Sequence, residues 1–196
     1  MSTPTYREPR PRAEFRTCDL PGRTAAQLAA LARSPLIALC GLAAFGDVAT
    51  GTALTTASIA LAAKPGPDPV ARFTAHLLVA FAVVLTAAAS ATTSEEASAL
   101  LIAGSLAALA VLSVGLLCAA AGGPVLAAIA LVPGLVTGSH LTASGAAVQA
   151  LHAASAGERP THLLVLVGYA LVAGRSADRL LDALPRGEHV PTLGLR

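Results

Sequence analysis

Between Ala97 and Gly157 the chain runs for sixty-one residues without an Asp, Glu, Lys or Arg. Around that run, apolar stretches alternate with short polar punctuation: KPGPDP at Lys64–Pro69, TTSEE at Thr92–Glu96, GGP at Gly122–Pro124 and GERP at Gly157–Pro160. Gly and Pro end helices, while Ser or Thr followed by acidic residues starts them. The punctuation therefore predicts about five hydrophobic helices, at approximately 34–63, 70–91, 95–121, 124–156 and 161–184. Ser34 and Pro35 suit an N-cap and first turn, and Ser94 with Glu95 and Glu96 suits another. No water-facing surface tolerates so long an uncharged run without large apolar patches, whereas about 20 apolar residues cross the ~30 Å hydrocarbon core of a bilayer. The expected fold class is all-α, a polytopic transmembrane helical bundle occupying residues 34–184.

Segment lengths refine this picture. As one helix, residues 35–63 would reach about 43 Å, so the first helix either tilts or bends near Gly46 to Gly51. In the last segment, THLLVLVGYALVAG would reach only about 21 Å. Its continuation RSADRLLDALP is amphipathic, with Arg175, Asp178, Arg179 and Asp182 on one face and Ala177, Leu180, Leu181 and Leu184 on another.

Residues 1–33 form an Arg- and Pro-rich polar tail, with six arginines against Glu8, Glu14 and Asp19. They read as a partly disordered cytoplasmic segment without a secretory signal, and Thr24–Arg33 as a short interfacial helix. Residues 185–196 are a short C-terminal tail. The expected location is the cell membrane, multi-pass, with the N-terminus in the cytoplasm. Five crossings divide Lys and Arg seven inside against six outside, and four or six crossings satisfy the positive-inside rule better.

Composition agrees with the pattern: 55% of the residues are hydrophobic and 12% charged. The net charge of +2 is too small to point to nucleic acid. Alanine supplies 46 residues, and small residues in membrane spans let helix backbones approach closely. Cys18, Cys40 and Cys118 have no CxxC spacing, so neither a disulfide framework nor a metal cluster is implied. HExxH, Walker A, GxGxxG and GxSxG are absent as well, which counts against a soluble-type nucleotide or acyl-transfer enzyme and leaves no cofactor or metal expected.

Three side chains are candidate catalytic or ligand-binding residues. Asp47 shares one face of the first helix with Cys40, Ala43, Thr50, Gly51, Leu54 and Ser58, and a carboxylate within a bilayer needs a partner, water or a proton. The competing reading sets Asp47 near a helix end, where headgroup water reaches it. His76 lies one turn beyond Arg72, which suits an anionic headgroup or a pair with Asp47, although Arg72 is close enough to the KPGPDP turn to snorkel. His140 lies in PGLVTGSHLTASG, where Pro133 and three glycines interrupt the helix, and broken helices often line cavities. Gly134 and Gly138 also make a GxxxG, whose usual role is helix pairing, here homo- or hetero-oligomeric. Gln149, His152 and His162 fall near segment ends at the expected interface, and Glu95 and Glu96 read as helix caps.

The stretch SPLIALCGLAAFGDVATG, Ser34 to Gly51, resembles the opening helix of UbiA-type membrane prenyltransferases, which often carry a Gly-Asp there. The resemblance implies an isoprenoid substrate. Those enzymes hold magnesium and prenyl diphosphate on aspartate-rich NDxxD-like motifs, where this chain reads ASATTSEEASA, Ala89 to Ala99. No family residue is carried over.

Two functions are therefore expected. The first is a small integral membrane protein without its own catalysis, acting as a subunit, accessory factor or permeation element. The second is a membrane-embedded enzyme or carrier for a lipid or isoprenoid, with Asp47, His76 and His140 converging on one cavity.

Overall fold

The computed structural model describes residues 45–63, 68–158 and 161–183. The two tails, the first eleven residues of the expected first helix (34–44), Cys18, Cys40 and most of the KPGPDP turn lie outside the described residues. Within them the chain is all-helical: α1 Asp47–Ala63, α2 Pro69–Ala89, α3 Ser94–Ala121, α4 Pro124–Thr137, α5 Ala143–Ser155 and α6 Leu163–Ala183.

Helix ends follow local chemistry. Gly46 has φ +130°, a conformation open to glycine, and α1 begins directly after it at Asp47, within the expected helix 34–63, whose residues 34–44 lie outside the described residues. The Asp68 carboxylate accepts from Ala71 N–H at 3.0 Å to start α2. The cap of α3 is Thr93 rather than Ser94: its hydroxyl accepts from Glu96 N–H at 3.1 Å, while the Glu96 carboxylate accepts from Thr92 N–H at 2.8 Å and Thr92 Oγ1 at 2.9 Å.

The expected single helix 124–156 is two helices. α4 stops at Gly138 in the left-handed conformation, φ +62°, and α5 restarts behind Thr142, whose hydroxyl accepts from Gly145 N–H at 3.1 Å. The turn folds back on itself. Ser144 donates to the Leu131 carbonyl and Gln149 to that of Gly138, so α5 runs alongside the last turns of α4 instead of continuing them.

Helix α3 is apolar on every face, the pattern of a helix enclosed by others. It touches all five of the other described helices. Around it α2 packs on α1, α1 on α4 and α5, and α5 on α6. Between α2 and α6 there is no contact, so among the described residues the ring around α3 is open at that one place.

Residue size is distributed from the inside outward. Of the thirty-one buried apolar residues among those described, twenty are alanine. Of the large apolar side chains among the described residues, ten Leu and Val are buried and eighteen are exposed, among them Leu85 at 58%, Ile129 at 66% and Val172 at 68%. Two described helices, α2 with 21 residues and α3 with 28, are long and apolar enough to cross a membrane. α4 is apolar but shorter, and α1, α5 and α6, as far as the described residues extend, do not meet that standard.

Candidate functional site

The first turn of α1 and the last turn of α5 meet at one end of the bundle. Asp47 Oδ2 lies 3.1 Å from His152 Nδ1, and Ser155 Oγ donates to the same oxygen at 3.3 Å. Ser155 also donates to the His152 carbonyl at 2.9 Å. The Asp47 side chain is 20% exposed and that of His152 76%. Polarity suits the place. An acid sits at a helix N-terminus and a histidine at a helix C-terminus, each matched to the local end of the helix dipole.

This cluster has the residue types of a nucleophilic triad without its geometry. In a triad the histidine stands between acid and hydroxyl, so that one ring nitrogen takes the hydroxyl proton. Here Ser155 binds the carboxylate directly, in parallel with His152. What the arrangement does chemically is hold two helix ends together.

His76 is at the other end of α1. It is buried, with Nδ1 2.8 Å from the Arg72 carbonyl of its own helix. Arg72 forms no ion pair with Asp47; its guanidinium donates to the Leu61 carbonyl, one of the last-turn acceptors that α1 leaves open. Leu61 and Asp47 are fourteen residues apart on α1, about 21 Å of helix.

His140 is exposed in the turn between α4 and α5, with its ring centroid 5.9 Å from that of His162. Next to it the Tyr169 hydroxyl donates to the Leu141 carbonyl, tying α6 to that turn. The three candidates thus go to three places. Asp47 is brought to His152 and Ser155, His140 to His162, and His76 to its own helix. No group of three or more metal-ligating side chains occurs among the described residues.

His152 was the partner that sequence reasoning set aside. It is 105 positions from Asp47, and no local spacing signals a pair formed by two helix ends. The Gly134–Gly138 pair is divided between two tasks. Gly134 is buried against Thr142, Ser144 and Gly145 of the same chain, and Gly138 ends α4.

Compared with known protein families, characterised proteins and solved structures, the chain matches none, the membrane prenyltransferases included.

Proposed function

We propose that this chain is a small multi-pass membrane protein without its own catalysis, serving as a subunit or accessory factor whose outward helix faces contact lipid and partner helices. The observation that carries the reading is the predominance of alanine in the core together with eighteen exposed large apolar side chains, against ten that are buried. Water drives Leu, Val and Ile inward in a soluble domain. In hydrocarbon that drive disappears, and interiors fill with Ala, Gly, Ser and Thr because close backbone approach is what holds helices together. The two long apolar helices and the charge-free run support the same solvent.

The polar groups support a non-catalytic role. Ser58 donates to the Val111 carbonyl at 2.7 Å across α1 and α3, Ser144 spans α5 and α4, and Asp47 fastens α1 to α5. These are interhelical ties. An enzyme or carrier built on Asp47, His76 and His140 would need them together, and their separate placing does not favour that reading.

Extraction into lipid nanodiscs followed by mass spectrometry tests the proposal. The expected result is reproducible recovery of one partner protein in fixed proportion. A monomer recovered alone under every mild extraction overturns the subunit reading.

A further inference from the structure

Four histidines lie among the described residues, and their rings are of two kinds. The rings of His76 and His152 are each committed to an oxygen, the Arg72 carbonyl and the Asp47 carboxylate. Those of His140 and His162 have no hydrogen-bond partner among the described residues and stand beside each other, with centroids 5.9 Å apart and planes tilted by 33°. His140 is exposed and His162 half-buried.

Both rings are carried on backbone that the fold has already fixed. Ahead of His140 the Gly138 carbonyl accepts from Gln149, and beyond it the Leu141 carbonyl accepts from Tyr169. Across the turn itself Leu141 N–H donates to Ser139 Oγ at 3.3 Å, and Thr142 Oγ1 donates to the Ser139 carbonyl at 3.1 Å. His162 begins α6, its carbonyl accepting from Leu166 N–H at 3.0 Å. His162, Leu166 and Tyr169 recur at the i, i+4 and i+7 spacing of one helix face. Leu166 is fully buried and Tyr169 reaches the turn, so this face brings His162 to His140.

We infer that His140 and His162 together bind a late transition-metal ion, with Cu²⁺ held most tightly. A nitrogen–metal bond of about 2.0–2.1 Å, with about 1.1 Å from ring nitrogen to ring centre, lets two imidazoles on one ion have centroids up to about 6.4 Å apart. The observed 5.9 Å is within that reach. Donor type selects the ion: Ca²⁺ and Mg²⁺ take oxygen ligands, whereas imidazole nitrogen suits copper, nickel and zinc. A closed structural zinc site needs four ligands. This pair supplies two and leaves the other positions to water, an arrangement that suits the tetragonal preference of Cu²⁺, which also stands highest in the divalent affinity order. The N-terminus of α6 opposes a cation, a weak effect at a helix end beside two coordinate bonds. Because His140 is exposed, the ion exchanges with solvent, and while bound it joins the α4–α5 turn to α6.

The site needs only the packing of α6 on that turn, so it stands or falls apart from the membrane reading. The full chain, purified in a non-ionic detergent without a histidine tag and carrying Cys18→Ala and Cys40→Ala so that those thiols do not compete, is titrated with Cu²⁺. Electron paramagnetic resonance follows the binding, and spin-echo modulation counts the coordinated imidazoles. The first equivalent is expected to show two imidazoles. His140→Ala and His162→Gln should each lower its affinity at least tenfold and remove the two-imidazole signal, while His152→Gln leaves both unchanged.

Unchanged copper affinity in both His140→Ala and His162→Gln overturns the site, as does a single imidazole in the parent chain. Affinity lost only in His152→Gln assigns the ion to the Asp47 tie and overturns it as well. Circular dichroism checks the fold of each variant; should His162→Gln lose helix content, the exposed His140→Ala decides alone.

Discussion

Glycines on the two sides of the bundle do opposite things. On the closed side, where α1, α4 and α5 pack, they are absences that a neighbour fills. A Cβ at Gly115 would run into Ser58 Oγ and lie 2.7 Å from the Ser58 carbonyl, and one at Gly51 would lie 2.5 Å from Val148 Cγ2. On α6, at Gly168 and Gly174, a Cβ would meet nothing within 4 Å. The same residue type marks close helix approach on one side and unfilled space on the other. In a bundle held by dispersion and interhelical hydrogen bonds, the first side carries stability and the second contributes little to it.

The largest expected effect breaks the closed side. Gly145→Ala drives a methyl into the Ser139 carbonyl, a backbone atom with little freedom to yield. It should cost about 3 kcal/mol, measured as loss of reversible unfolding free energy in detergent micelles. Gly174→Ala on the open side, where the added methyl meets nothing, should instead raise stability by about 0.5–1 kcal/mol through helix propensity. Equal losses at the two sites would erase the comparison.

Next comes Gly115→Ala, with a loss of about 2 kcal/mol, because the Cβ displaces Ser58 and breaks its bond to Val111. Combining it with Ser58→Ala should cost clearly less than the two single losses added together. Strict additivity would place the damage elsewhere.

Asp47→Asn tests the tie between α1 and α5. With His152 largely exposed, the loss should be about 0.5–1 kcal/mol, and it should shrink in His152→Gln. A loss as large as that of Gly145→Ala would mean that the carboxylate is far less hydrated than its place at the bundle end implies.

The smallest effect has the opposite sign. The Thr55 hydroxyl is buried without a partner among the described residues, so Thr55→Val should raise stability by about 0.5–1 kcal/mol. A decrease would show that the hydroxyl has a partner that the described residues do not include.

Most of the helical plan was legible in the chain because its signals are local. Asp68 and Thr93 cap helices where the polar punctuation stands, and the face predicted for the first helix, with Thr50, Gly51, Leu54 and Ser58, is the one α1 buries. The division of the fourth helix was half legible: Pro133 and Gly138 announced an irregularity, but a proline stays inside α4 and the stop comes five residues later. What sets the stop is Gly138 in the left-handed conformation and the new cap at Thr142.

The site was less legible. Asp47 stood out as a lone carboxylate in an apolar run, yet its partners come from a helix that reaches it only through the fold. The opening between α2 and α6 was not legible, because Gly174 and Ser113 have the same small-residue pattern as positions that pack tightly.

The central claim, that this bundle has hydrocarbon outside and small residues inside, is tested most directly by site-directed spin labelling in bilayers. Single labels at Leu85, Ile129 and Val172 are compared for collisions with oxygen, which concentrates in lipid, and with a water-soluble nickel chelate. High oxygen and low nickel accessibility at all three is the predicted result. High nickel accessibility at these positions would mean that water covers those faces, and the account would be wrong.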